Sequence, residues 1–219
     1  TMGKQGDLDG RTVVVSAGGT MEAIDPVRVI TNRSSGKMGY ALAEAARDRG
    51  ANVVLVTAAS GLAEPAMVKV VPVGSAQEMC DAVLEHVKSA DALIMAAAVA
   101  DYRPSSQAEQ KIKKSEDDLT IALTKTTDIL QAARGSFVRV GFSAESQDLV
   151  ENAKAKVKSK DLDLIVANDI TDPDSGFGRD TNKVALIGRD LQVEELPVLS
   201  KYEVSNRILD RVLALLPVN

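Results

Sequence analysis

Short, unbroken apolar runs recur along this chain, and most of the stretches between them have room for one amphipathic helix. That alternation restricts the fold more than any other feature of the sequence. Thr12-Val13-Val14-Val15-Ser16-Ala17 is the first such run. Val53 to Val56, Val68 to Val73, Ala92 to Ala98, Val138 to Phe142 and Leu162 to Ala167 follow. An apolar run without polar alternation belongs to a strand buried on both faces. Helical spacing takes over from Gly39 to Arg49, where Ala41, Leu42, Ala45 and Ala46 are packing positions and Gly50 is a stop. Ser75 with Glu78 forms a capping box before a helix expected to bury Met79, Cys80, Val83, Leu84 and Val87. Asp128 to Arg134 reads as a short helix and Leu149 to Lys160 as a basic one. Ser200 with Glu203 is a second capping box, before a terminal helix through Leu216.

Strands that alternate with helices imply a mainly parallel sheet covered on both faces. The expected architecture is therefore Rossmann-like α/β with a small antiparallel extension. Leu119 to Leu123 alternates as a half-exposed strand does, and Lys183 to Ile187 with Val193 to Leu199 reads as a closing antiparallel pair. A single domain is expected over residues 11–219, with the polar residues 1–10 as a linker or an expression remnant. Two loops stand out. Residues 101–118 are polar, carry Lys111-Ile112-Lys113-Lys114, and are long for a connection inside a compact domain, which marks them as functional or mobile. Residues 171–182 are rich in Gly and Asp.

Composition removes several classes of function. The net charge is −5, from 26 Lys plus Arg against 31 Asp plus Glu, so a nucleic-acid-coating role lacks its basic excess. The aromatic fraction is 3% with no Trp, which disfavours base-stacking platforms. The one cysteine, Cys80, cannot form an intrachain disulfide or a Cys-based metal site. The one histidine, His86, argues against His-rich metal sites and most serine-hydrolase triads. Cys80 lies on the apolar stripe of its helix and reads as core; His86 lies off it and reads as surface. No apolar run approaches a membrane span and no secretory signal opens the chain, so a cytoplasmic, reducing home is expected.

In open α/β sheets ligands bind outside the carboxyl ends of the strands. Those ends are Gly18-Gly19-Thr20, Val99-Ala100-Asp101-Tyr102, Gly141 to Glu145 and Asn168-Asp169, each also compatible with ordinary turn chemistry. Asn32-Arg33-Ser34-Ser35-Gly36-Lys37-Met38-Gly39 precedes the first long helix, where free N–H groups, two hydroxyls and glycines suit an anion or a simple N-cap. It matches neither the Walker A pattern nor Gly-x-Gly-x-x-Gly. Lys111, Lys113 and Lys114 form one basic cluster. On a helix Lys156 and Lys160 share one face and Lys154 and Lys158 another. Two basic patches in an acidic chain suggest a strongly anionic small ligand. Asp101 suits a ribose hydroxyl, an amide, a Mg²⁺ ion or a turn cap.

Six motifs occur in one order: Gly18-Gly19-Thr20, Asp25-Pro26-Val27-Arg28, the 32–39 segment, Ala97-Ala98-Val99-Ala100-Asp101-Tyr102, Lys111-Ile112-Lys113-Lys114 and Gly141-Phe142. Together they resemble phosphopantothenoylcysteine synthetase, in its bacterial CTP-dependent form, from about Leu8 to the final helix. That form is often the C-terminal half of a bifunctional coenzyme A biosynthesis protein, preceded by a flavin-dependent decarboxylase. The resemblance implies that the carboxylate of 4′-phosphopantothenate attacks the α-phosphate of CTP, giving an acyl-cytidylate and pyrophosphate. The amine of L-cysteine then displaces CMP. It implies a homodimer, with CTP as co-substrate and Mg²⁺ accompanying it near Asp101 rather than in a fixed protein site. Asn32, Lys111, Arg28 and Asp101 are the implied catalytic residues, Arg28 gripping the substrate phosphate from a neighbouring subunit. Asn32, Ala97, Ala98 and Asp101 would hold the substrate. Met95, Ala96, Ala97, Asp101 and Lys111 would contact the nucleotide, as would Thr127, Asp128, Ile129, Leu130, Phe142, Lys156 and Lys160. Gly18, Ser34, Gly36 and Gly39 would form a phosphate cradle. Met21 and Ala23 stand where the family often has Arg and Pro, and Thr126-Thr127 where it commonly has Asn-Pro.

Two rival readings fit the expected fold. An NAD(P)-dependent short-chain dehydrogenase needs a Tyr with Lys four residues later, and Tyr40, Tyr102 and Tyr202 all lack it. A non-catalytic nucleotide-binding regulator would bind CTP without releasing pyrophosphate and does not require two basic patches.

Overall fold

The computed structural model describes residues 6–114, 118–145, 147–169 and 178–217. In chain order the elements are β1 (Thr12–Ala17), β2 (Met21–Ala23), β3 (Val29–Thr31), α1 (Lys37–Asp48), β4 (Asn52–Thr57), β5 (Lys69–Pro72) and α2 (Ala76–His86). Then come β6 (Ala92–Met95), β7 (Tyr102–Pro104), β8 (Leu123–Lys125), α3 (Ile129–Ala132), β9 (Val138–Glu145), α4 (Leu149–Lys160) and β10 (Leu164–Asp169). The chain closes with β11 (Thr181–Asn182), β12 (Val184–Gly188), β13 (Val193–Glu195), β14 (Leu199–Ser200) and α5 (Lys201–Leu215).

Eight strands form one sheet in the order β13-β12-β10-β9-β6-β1-β4-β5. The six from β5 to β10 run parallel, and β12 and β13 extend the edge in antiparallel fashion. The Rossmann-like expectation holds, and the order reverses between β1 and β6, where such sheets open a ligand crevice. The register of β1 against β6 runs from Val13↔Ala92 to Ser16↔Met95.

Two apolar layers sandwich the sheet. One packs α1 and α5 on Val13, Val15, Ile94, Val140 and Val166; the other packs α2, α3 and α4 on Val14, Leu93, Ile165 and Ala167. Residues alternate between these layers along each strand, which is why the runs are mostly apolar, with Ser16, Arg139, Ser143 and Asn168 as buried polar exceptions. Both capping boxes are present, Ser75 with Glu78 and Ser200 with Glu203. Cys80 is core as expected, whereas His86 is half-buried at the end of α2 rather than on the open surface.

Three readings need correction. Residues 6–10 are not a linker: Leu8 is fully buried in the α1/α5 layer, its N–H reaches Arg49 O at 3.0 Å, and Asp7 pairs with the buried Arg49 at 2.7 Å. An apolar side chain and an acid that find partners forty residues away leave little local trace. The expected Leu119 to Leu123 strand forms only from Leu123 onward, as β8, and pairs with β7 in a ribbon outside the main sheet. The ribbon β2–β3 was not anticipated. Three-residue strands are too short to display a period. Much of the 171–182 loop lies outside the described residues.

Candidate active site

The loops that leave β1 and β6 are laced together. Ala97 N–H donates to the buried Ser16 Oγ at 3.1 Å, Ala98 N–H to Gly18 O at 2.8 Å, and Ala100 N–H to Thr20 Oγ1 at 2.9 Å. Asn32 joins them, its Nδ2 donating to Ala98 O and Val99 O at 3.2 Å each. Two glycines make this crowding possible. A Cβ on Gly18 would lie 2.3 Å from Ala59 N, and one on Gly39 would lie 2.5 Å from Ala17 Cβ and 2.7 Å from Ser16 O. Gly18 and Gly39 therefore bring β1, α1 and the loop after β4 into contact, and neither lines the crevice or the smaller cavity beside it.

Beyond the laced loops lies a crevice of about 740 Å³. Met95, Ala97, Ala98 and Val99 form one wall, with Asp101 at the rim. Thr127, Asp128, Ile129 and Leu130 turn into α3 on the far side, and Phe142, Ser143 and Ala144 of β9 form the base. Lys156 and Lys160 enter from one face of α4, one helical turn apart. Lys160 Nζ pairs with Asp128 Oδ2 at 2.9 Å, while Asp128 Oδ1 caps α3 at Gln131 N. A residue the sequence reading passed over holds this side in place. Arg139 is buried, and its Nη2 donates to Leu130 O at 2.5 Å and Lys160 O at 2.9 Å. A charge inside the run Val138-Arg139-Val140 was the available signal.

A smaller cavity of about 140 Å³ shares Ala97, Ala98, Phe142, Ser143 and Ala144 with the crevice. Ser34, Gly36 and Ala96 line this cavity rather than the larger one, with Asn168 and Lys201. Gly36 is the N-cap of α1 at φ 78°, and no side chain caps that helix. Lys201 donates to Arg179 O at 2.6 Å and Thr181 O at 3.2 Å. Burial lowers its pKa to about 8, with Lys37 adding to the shift and Asp180 opposing it.

Arg28 and Lys111 are on neither wall. Arg28, which the resemblance sends to a neighbouring subunit, is bonded within its own chain. Its Nε and Nη2 fork onto Asp25 Oδ2 at 2.9 and 2.6 Å, and Nη2 also reaches Ile112 O at 3.0 Å. Asp25 is 1% exposed. Its Oδ1 accepts from Val27 and Arg28 N–H at 2.8 Å each, and its Oδ2 accepts from Ile112 N–H at 3.1 Å. The Arg28 fork, aided by these amides and opposed by burial, holds the carboxyl well below the usual range. Ala108 N–H adds a second tie to Ile24 O at 3.0 Å. The exposed Lys111 thus sits on a segment fastened to the β2–β3 ribbon on either side of it.

Asp25→Asn tests that fastening. It places an amide where donors now converge, so amide exchange over residues 105–114 should quicken. Asp25 is ionised from the ordinary carboxylate range upward, so the tie persists through mildly acidic pH and is lost only as pH falls through its depressed pKa. Unchanged exchange in the variant would reject the tether.

Among the described residues no three His, Cys, Asp or Glu side chains converge as a metal site. Asp101 and Asp128 on the crevice wall suit Mg²⁺ that arrives with phosphates, since that ion keeps most of its ligands as water and phosphate oxygens. Among the described residues no helix is long and apolar enough to cross a membrane.

Known proteins are similar to this chain in sequence and fold. The family model for the DNA/pantothenate metabolism flavoprotein C-terminal domain matches residues 8–216. The coenzyme A biosynthesis bifunctional protein CoaBC of Bacillus subtilis (strain 168) is 45% identical over 212 residues, covering 95% of this chain and 52% of that protein. The protein of the same name from Mycobacterium bovis is 44% identical over 225 residues, covering 96% of this chain and 54% of its own. The chain thus spans about half the length of the curated relatives it matches. A crystal structure of the C-terminal domain of CoaBC superposes with a TM-score of 0.83 at 39% identity, covering 96% of this chain and 98% of that one. On sequence and fold together, this chain belongs to the DNA/pantothenate metabolism flavoprotein C-terminal domain family.

Proposed function

We propose that this chain is a CTP-dependent phosphopantothenate–cysteine ligase of coenzyme A biosynthesis. The observation that carries the reading is the crevice at the β1/β6 switch point, with two lysines on one face of α4 and a nucleotide-sized volume. A carboxylate acylates nothing until its oxygen becomes a good leaving group. In the first step the phosphopantothenate carboxylate oxygen bonds to the α-phosphorus of CTP, and pyrophosphate leaves with the electron pair. In the second, the cysteine nitrogen bonds to the acyl carbon, the bond to CMP breaks, and the nitrogen's proton goes to solvent. Neither step needs a protein nucleophile.

Phe142, Lys156, Lys160 and the turn from Thr127 to Leu130 surround the nucleotide, and Asp101 faces its ribose or its metal. Asn32, whose Nδ2 is already bonded to Ala98 O and Val99 O, presents its Oδ1 to an amide N–H of the pantothenate chain. Mg²⁺ screens the polyphosphate and withdraws charge from the leaving pyrophosphate. Lys111 supplies a cation when its side chain swings from the fastened segment over the bound substrates, and Arg28 supplies another for the substrate phosphate. The working unit is a homodimer: Met21, Val27 and Val29 on one ribbon and Tyr102 and Leu123 on the adjoining one leave apolar side chains exposed. The relatives are named bifunctional and the match covers about half of their length, which supports a second domain in the native protein; in this reading that domain is the flavin-dependent decarboxylase of the resemblance, and the enzyme works in the cytoplasm.

The test is pyrophosphate release. With CTP, phosphopantothenate and Mg²⁺ but no cysteine, about one pyrophosphate per site should appear, and cysteine should convert this burst into turnover. Calorimetry at low salt should show CTP binding more tightly than CMP, with an advantage that shrinks as salt rises. Equal affinities, or no pyrophosphate, would reject the reading.

A further inference from the structure

Arg139 is a buried guanidinium between two core valines of β9. Val138 and Val140 pack in the α1/α5 layer, so the Arg139 side chain enters the opposite layer, among the elements that include α3 and α4. Its Nε is buried without a hydrogen-bond partner. A buried charge is costly to desolvate, and a well-packed apolar side chain of similar volume is often as stable or more so. What Arg139 provides in return is a bridge. Its Nη2 donates both to Leu130 O, in α3, and to Lys160 O, in the last turn of α4. Both segments line the nucleotide-sized crevice. One nitrogen bonded to both carbonyls cannot let them separate. α4 has little else to hold its place, since Ala153 and Val157 are its buried residues. A closed ring of polar contacts secures the same corner. Arg139 Nη1 reaches Asp161 Oδ2 at 3.4 Å, and Arg189 Nη1 donates to Asp161 Oδ1 at 2.6 Å. Arg189 Nη2 donates to Asp163 Oδ1 at 2.9 Å, and Asp163 Oδ2 accepts the Arg139 N–H at 2.8 Å. Asp161 is the C-cap of α4, directly after Lys160.

We propose that Arg139 is a positioning residue for nucleotide binding, which keeps Lys160 and the turn from Thr127 to Leu130 at one fixed spacing around a nucleoside triphosphate. The identity of that ligand as CTP rests on the ligase reading above. On the crevice side a second bridge spans the same two segments, Lys160 Nζ to Asp128 Oδ2 at 2.9 Å. Once Lys160 turns to the polyphosphate, its hold on Asp128 weakens. The Arg139 bridge lies inside the protein, out of the ligand's reach, and stays closed. Its two bonds go to main-chain carbonyls, so they fix the backbone of both segments and leave the Lys160 ammonium free to move. The clamp stands before the nucleotide arrives, and no binding free energy is lost in assembling it.

Arg139→Gln and Arg139→Lys test the clamp by calorimetry and steady-state kinetics on the same preparations. In Arg139→Gln, whose shorter side chain cannot join both carbonyls, the Kd for CTP per folded site should rise about tenfold or more, and the KM for CTP with it. The KM values for phosphopantothenate and cysteine should stay within about twofold of the parent. Arg139→Lys, which keeps the charge and one donor nitrogen, should recover part of the CTP affinity. Melting temperature should fall in both, because buried carbonyls lose a donor. A merely structural Arg139 would lower the melting temperature and leave the Kd for CTP unchanged, and that result would overturn the proposal. Equal rises in all three KM values would overturn it too. If neither variant folds, the parent carries the test: amides of α3 and of the last turn of α4 should exchange through one common opening short of global unfolding, and separate openings would overturn the clamp. Parent protein that binds CTP but releases no pyrophosphate would overturn the ligase reading and leave the clamp standing. Parent protein that binds no CTP would overturn both.

Discussion

Lys111→Ala lowers turnover by about 100-fold or more while the protein stays folded. The expected size is that of removing one preorganised charge from a site where negative charge develops. Lys111 is exposed and outside the crevice wall, yet its neighbour Ile112 is held by Asp25 and Arg28. A charged side chain on a fastened segment can swing over bound substrate without the segment losing its place, and its charge counts only in that closed state. The substitution removes no core contact, so stability changes by about 0.5 kcal/mol or less. Steady-state kinetics beside a thermal melt checks both halves. An unchanged kcat would return Lys111 to the role of a solvated surface charge.

Gly18→Ala has the largest expected effect on stability. The added Cβ would lie 2.3 Å from Ala59 N and 2.7 Å from Ala58 C, which are backbone atoms that cannot swing aside. Gly18 also holds φ at 84°, a left-handed conformation that alanine adopts at a cost. Strain and overpacking together amount to about 3–5 kcal/mol, a large part of the stability of an ordinary domain. The damage reaches function as well, because Gly18 O accepts the Ala98 N–H that sets the crevice wall. Urea titration should show a lower midpoint with the slope retained. A cost under about 1 kcal/mol would mean that the loop after β4 yields freely, and that the close approach is not what requires glycine there.

The parallel sheet was legible because its causes are local. A strand buried on both faces is apolar at most positions, so β1, β4, β6, β9 and β10 are each visible as runs. The capping boxes at Ser75 and Ser200 were legible for the same reason: donor and acceptor lie three residues apart. The pairing of Lys156 with Lys160 on one wall follows from helical periodicity alone. What only the tertiary structure decided depends on partners far away in sequence. Asp25 meets Ile112, Asp7 meets Arg49, and Leu8 enters a core built by α1 and α5, and no local pattern encodes those meetings. The β2–β3 and β7–β8 ribbons are too short to show a period, and they exist because their loops are tied together. Arg139 and Asn168 are polar residues inside apolar strands. Sequence shows that they break the pattern, but packing decides that the Nη2 of Arg139 bonds to Leu130 O and Lys160 O between α3 and α4, while Asn168 Oδ1 stays without a partner over a cavity.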